Sequence, residues 1–166
     1  MEQLIYLVAV PKGKIYHCSS KIQRAIWEKY NLWEGEYLPE IHVTIDAYNY
    51  RDKQEVETIR QALKEVVQNI PPFEIYTNGF SYIPAPYNCI TVHIVKTKEL
   101  KKIYSFIHRR MIKKGFEARD YSPNEIVFHI SIAGTYGRKW DEVESQKAWE
   151  EVRQLDFKYH ALIDEF

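Results

Sequence analysis

Two short stretches of this sequence pair an imidazole with a hydroxyl at the same spacing. The first is His42-Val43-Thr44-Ile45 and the second is His129-Ile130-Ser131-Ile132. In an extended strand, alternate residues share a face. Val43 and Ile45 therefore point toward a helix-packed core, as do Ile130 and Ile132. His42 with Thr44, and His129 with Ser131, point to the other side. One neutral imidazole can take a proton from a nucleophile while a protonated one gives a proton to a leaving oxygen. Histidine suits both tasks because its ordinary pKa is about 6.5. The hydroxyls can donate hydrogen bonds to non-bridging oxygens as charge builds there. This is metal-free chemistry for a phosphodiester, provided that the two stretches face one cleft. The same parity places Asp46 beside His42 and Thr44. A carboxylate there repels a phosphate unless it turns away or pairs with a cation.

The surrounding elements imply that the stretches do converge. Leu4 to Val10 reads as a buried strand stopped by Pro11-Lys12-Gly13. A helix follows from about Ser20, where Ser20 and Gln23 have capping-box spacing. The first motif strand comes next. Asp52 caps a second helix with apolar positions Val56, Ile59, Leu63, Val66, Val67 and Ile70, ended by Pro71-Pro72. Phe73 to Phe80 is a strand, and Ser81 to Asn88 a connector. Then the order begins again. Cys89 to Val95 is a strand, and Leu100, Ile103, Ile107 and Met111 mark a helix ending near Gly115. Val127 to Ile132 is the second motif strand, Trp140 to about Val152 a helix, and Phe157 to Ile163 a last strand. Strand, helix, strand, helix, strand occurs twice. Two copies imply pseudo-symmetric lobes, not a solenoid. We expect a single domain over 1–166, with repeat 1 over about 1–80 and repeat 2 over about 89–166. A duplicated fold places equivalent strands face to face near its pseudo-twofold axis.

The paired His-x-Thr/Ser-apolar motifs, at matching places in a duplicated chain, resemble those of the 2H phosphoesterase superfamily. That group includes 2′,5′ RNA ligase-like proteins and cyclic phosphodiesterases acting on RNA ends. The resemblance implies an α+β fold in which two mainly antiparallel sheets face a central cleft, with helices packed outside. It implies action on 2′,3′-cyclic phosphate or 2′–5′ phosphodiester bonds of nucleotides or RNA ends, without a cofactor or metal. His42 and His129 are then the acid–base pair, and Thr44 and Ser131 bind the phosphate. A nucleotide or RNA-end binding module of the same fold, without turnover, is the alternative. A reading of the two histidines as metal ligands ranks last, since Asp46 is the one further ligand in view.

Tyr48 and Tyr136 follow the motif strands and can reach a base, and Arg138 and Lys139 follow the second motif and can reach a phosphate. The loops Trp33 to Glu40 and Phe116 to Glu125 lead into the motif strands and are candidate lids. Packing or surface roles are expected of His17, His93, His108 and His160. The chain has 166 residues, with 23 Lys+Arg and 23 Asp+Glu. That balance argues against a broad basic surface for DNA. The two cysteines, Cys18 and Cys89, are too few for a disulfide scaffold or a four-thiolate zinc site and read as reduced packing residues of a cytoplasmic protein. Glu2 stands where a signal peptide has its basic region, and the first apolar run is too short to cross a bilayer. A monomer is the expected state. No phosphate-binding glycine loop and no His-Glu-x-x-His motif is present.

Overall fold

The computed structural model describes residues 3–166, so Glu2 lies outside the described residues. The element order is β1 (Leu4–Ala9), α1 (Gly13–Tyr30), β2 (Val43–Asn49), α2 (Lys53–Val67), β3 (Phe73–Ile83), β4 (Cys89–Ile94), α3 (Lys98–Lys113), β5 (His129–Ala133), α4 (Glu142–Val152) and β6 (His160–Ile163). The five-element order thus recurs, as the sequence pattern predicts. The fold is α+β. β1 and β2 form a two-stranded antiparallel sheet, and β5-β4-β3-β6 form a four-stranded one in which every neighbouring pair is antiparallel.

Local chemistry accounts for most boundaries. Asp52 accepts from the Glu55 N–H at the start of α2, and Thr97 does the same for Leu100 at the start of α3. Asp141 and Glu144 form a reciprocal capping box at α4. Leu100, Tyr104, Ile107 and Met111 recur at helical spacing and are fully buried. α1 starts earlier than the expected Ser20, at Gly13, because the buried face continues back through Ser19 to Ile15. Ser20 is therefore inside the helix, and Gln23 is buried, its side-chain amide donating to the Pro39 carbonyl at 3.2 Å. β3 also runs past its expected end. Its register shifts between Thr77 and Phe80, so Asn78-Gly79 forms an irregularity inside the strand instead of stopping it.

The helices cover the core face of the sheets. α3 packs on β2, and α1 packs on β5. Each motif strand is thus backed by a helix from the other half of the chain. Val43, Ile45, Ile130 and Ile132 are all buried, as strand parity requires. Among the described residues, no helix is long and apolar enough to cross a membrane.

Candidate active site

The two motif strands share a feature that alternation alone does not show. β1 pairs Val8 with Thr44 and Leu7 with Asp46, so Ile45 is an extra residue in the ladder. β4 pairs Thr91 with Ser131 and Ile90 with Ala133, so Ile132 is extra in the same way. Each motif therefore carries a β-bulge at its fourth position. A bulge resets which face the following residues occupy. It keeps the imidazole and hydroxyl on one face and turns the next side chain to the other.

His42, Thr44, His129 and Ser131 line one cleft of about 390 Å³, between the two sheets. Each ring has a backbone partner. The His42 Nδ1 lies 2.8 Å from the Glu40 carbonyl oxygen, two residues upstream. His129 has a hydrogen bond to the Val127 backbone, again two residues upstream. A carbonyl can only accept, so in His42 Nδ1 carries the proton and Nε2 is left for a ligand. Burial holds the His129 imidazole below its ordinary pKa. The bond to Val127 opposes that shift, and the charge of His42 adds to it. The two rings are thus electrostatic neighbours. A tetrahedral anion in the cleft would meet hydroxyl donors from both halves.

A family model described as the 2′-5′ RNA ligase superfamily matches residues 35–166, a stretch that holds both motif strands. The chain belongs to the 2′–5′ RNA ligase superfamily. A protein of Bacillus cytotoxicus named "Putative phosphoesterase" is 28% identical over 127 residues, covering 75% of this chain and 67% of that protein. The superfamily match begins in the loop before β2, so the site strands and everything after them are inside it.

In this superfamily member the bulge decides the fate of Asp46. Alternation put its carboxylate beside Thr44, but the extra residue turns it to the helix side. Its side chain is only 1% exposed. It accepts from the Ala47 N–H at 2.9 Å, the Tyr48 hydroxyl at 2.8 Å and the His108 Nδ1 at 2.9 Å. Burial pushes the carboxyl pKa up, and the three donors pull against that. Asp46 still borders the cleft, but both of its carboxylate oxygens are already engaged by these donors. His108, expected to be a surface or packing residue, is its partner on α3.

Other expected contacts divide. Tyr136 lines the cleft and is 48% exposed. Tyr48 does not reach it: the ring is 0% exposed and its hydroxyl is bound to Asp46. The structure does not bring Arg138 to the cleft either. Its guanidinium is committed to Glu144, at 2.8 Å, and to the Tyr30 and Asn31 carbonyls. Of the two candidate lids, Phe116 to Glu125 contributes Arg119, Tyr121 and Glu125 to the cleft, whereas Trp33 to Glu40 contributes none.

Arg119 and Thr135 line the cleft without having been singled out in the sequence. The Ala118 bridge to Tyr48 fixes Arg119, whose N–H donates to the Ala47 carbonyl at 3.0 Å. The guanidinium sits 5.3 Å over the Tyr6 ring and donates to the Tyr6 hydroxyl at 3.1 Å. It makes no ion pair among the described residues, so its charge faces the cleft unneutralised. Thr135 takes the place after the second bulge that Tyr48 takes after the first. Its hydroxyl donates to the Ser131 hydroxyl at 3.3 Å. A lone Arg in a long polar loop and a lone Thr in a turn leave no periodic signal.

Proposed function

We propose that this protein is a metal-independent phosphoesterase acting on 2′,3′-cyclic phosphate or 2′–5′ phosphodiester bonds of nucleotides or RNA ends. His129 is the general base and His42 the general acid. The observation that carries the reading is the matched pair of imidazoles on one cleft, each with a backbone partner two residues upstream. Superfamily membership and the name of the Bacillus cytotoxicus relative support the same reaction class.

In hydrolysis of a cyclic phosphate, a water oxygen bonds to phosphorus as the P–O bond to one ribose oxygen breaks. The His129 Nε2 takes the water proton, and the His42 Nε2–H protonates the departing oxygen. His129 is assigned as base because burial and the neighbouring His42 charge favour its neutral form. Thr44 and Ser131 donate to the non-bridging oxygens, where negative charge grows in the transition state. Arg119, which makes no ion pair among the described residues, adds a fixed positive charge to the cleft wall. The donor set suits phosphate more than metal, with two imidazoles, two hydroxyls and an Asp46 carboxylate already held by its own donors.

The test is turnover of 2′,3′-cyclic mononucleotides in the presence of a chelator. Hydrolysis should persist, and His42→Ala or His129→Ala should each lower kcat by roughly 10²-fold or more. The double variant should lose less than the product of the single losses, because the residues act as a unit. Specific binding of these nucleotides without any hydrolysis would favour the binding-module reading instead. Full activity in His129→Ala would refute the proposed catalysis.

A further inference from the structure

Beside the active cleft lies a second cavity of about 400 Å³, and the two share one wall residue, Thr135. The Thr135 hydroxyl stands 3.3 Å from the Ser131 hydroxyl on one side and 3.6 Å from the Cys89 sulfur on the other. Two short steps therefore lead from the phosphate-binding hydroxyl into the second cavity. Its walls are built from Ile83, Pro86, Tyr87 and Trp140, with Lys139 at hand. That is a surface for a planar ring with an anionic group attached.

The cavity is braced, not a chance gap between loops. Gly134 has φ +95°, and a Cβ there would lie 2.4 Å from the Asn88 carbonyl oxygen and 2.9 Å from the Cys89 Cα. Only glycine lets the end of β5 approach that turn so closely. The Trp140 indole N–H donates to the same Asn88 carbonyl at 2.7 Å. The turn is thus held from two sides. Its rim residue Tyr87 is 68% exposed, and no ring stacks on it among the described residues. Charge is arranged to match. Arg138 is occupied by Glu144, while the adjacent Lys139 is exposed and makes no ion pair among the described residues.

We propose that this second cavity binds the neighbouring nucleotide of a substrate whose terminal phosphate sits between His42 and His129. The preferred substrate class is then a nucleic-acid end of at least two nucleotides, not a free mononucleotide. Tyr87 stacks on the neighbouring base, and Lys139 meets its phosphate. The inference rests on the phosphoesterase reading of the cleft, but its test does not require turnover.

The probes are adenosine 2′-monophosphate and a diadenosine dinucleotide carrying the same terminal 2′-phosphate, with binding measured by calorimetry. The dinucleotide should bind about 10-fold tighter or more. Tyr87→Ala should weaken the dinucleotide by roughly 5-fold or more and leave the mononucleotide unchanged. Lys139→Ala should weaken the dinucleotide and flatten its salt dependence. Both side chains are exposed, so neither variant disturbs the core. Hydrolysis of 2′,3′-cyclic mononucleotides should be unchanged in both. Equal affinity for the two probes, or equal weakening of both by Tyr87→Ala, would overturn the second site. A dinucleotide advantage that depends on Tyr87, in a protein that hydrolyses no 2′,3′-cyclic phosphate or 2′–5′ phosphodiester, would keep the site and discard the phosphoesterase reading.

Discussion

The two motif strands present the same groups to the cleft and solve the problem behind them in different ways. In β2 the residue after the bulge is Asp46, whose buried carboxylate is satisfied by Ala47, Tyr48 and His108. In β5 the equivalent place holds Ala133, and no charge needs a partner. There the bulged residue itself is braced, since the Trp27 indole N–H from α1 donates to the Ile132 carbonyl at 3.0 Å. A bulge leaves its extra residue out of the ladder, so that carbonyl needs another donor. One half thus anchors its motif through a polar network on α3, the other through an indole on α1. What the halves keep in common is the cleft face: imidazole, hydroxyl, bulge and a backbone partner for each ring. In the proposed reaction the geometry of that face is constrained, whereas the rear face has only to be satisfied and packed.

The largest break in this comparison should come at the next residue along. Ala47 follows Asp46, and Gly134 follows Ala133. Gly134→Ala drives a Cβ to 2.4 Å from backbone oxygen at a φ of +95°. It should cost about 3 kcal/mol or more. The reciprocal change, Ala47→Gly, should cost only about 1 kcal/mol. Urea unfolding of the two variants measures the contrast, and similar losses would mean that the two strand ends are equally constrained.

A smaller effect should follow from removing the partner of Asp46. His108→Ala leaves the buried carboxylate with two donors instead of three. The loss should be about 1–3 kcal/mol at neutral pH, since His108 is itself partly exposed. For a chain of this size, melting should fall by about 2–4 °C per kcal/mol. An unchanged melting temperature would show that the network contributes nothing to anchoring β2.

These contrasts explain what could be read from the sequence. The duplicated element order, the apolar faces of α2 and α3, and the faces of His42, Thr44, His129 and Ser131 follow from periodicity. Capping chemistry marked Asp52. The bulges were not legible, because Ile45 and Ile132 fit simple alternation as well as they fit an inserted residue. That one ambiguity misplaced Asp46 and hid its pairing with His108. Tyr48 and Tyr136 were matched by residue type, whereas counting from the two histidines sets Tyr48 against Thr135. Arg119 was hidden for another reason. Its place depends on a single bridge between Ala118 and Tyr48, a long-range pairing with no local pattern. Arg138 was drawn away by Glu144, whose spacing also fits an ordinary capping box.

The central claim is that the two halves supply one base and one acid, with His129 the base. The pH dependence of kcat/KM for a 2′,3′-cyclic mononucleotide tests this most directly. The wild-type profile should be bell-shaped, because only the singly protonated pair is productive. Protonation of His129 removes the base, and its pKa is held below the ordinary value of 6.5 by burial and by His42. The acidic limb should therefore fall below pH 6.5, with activity retained at the pH where an unperturbed imidazole is half charged. In His129→Ala the residual activity should lose that acidic limb and keep the alkaline one. Loss of the alkaline limb instead, or a wild-type profile flat across both limbs, would contradict the account.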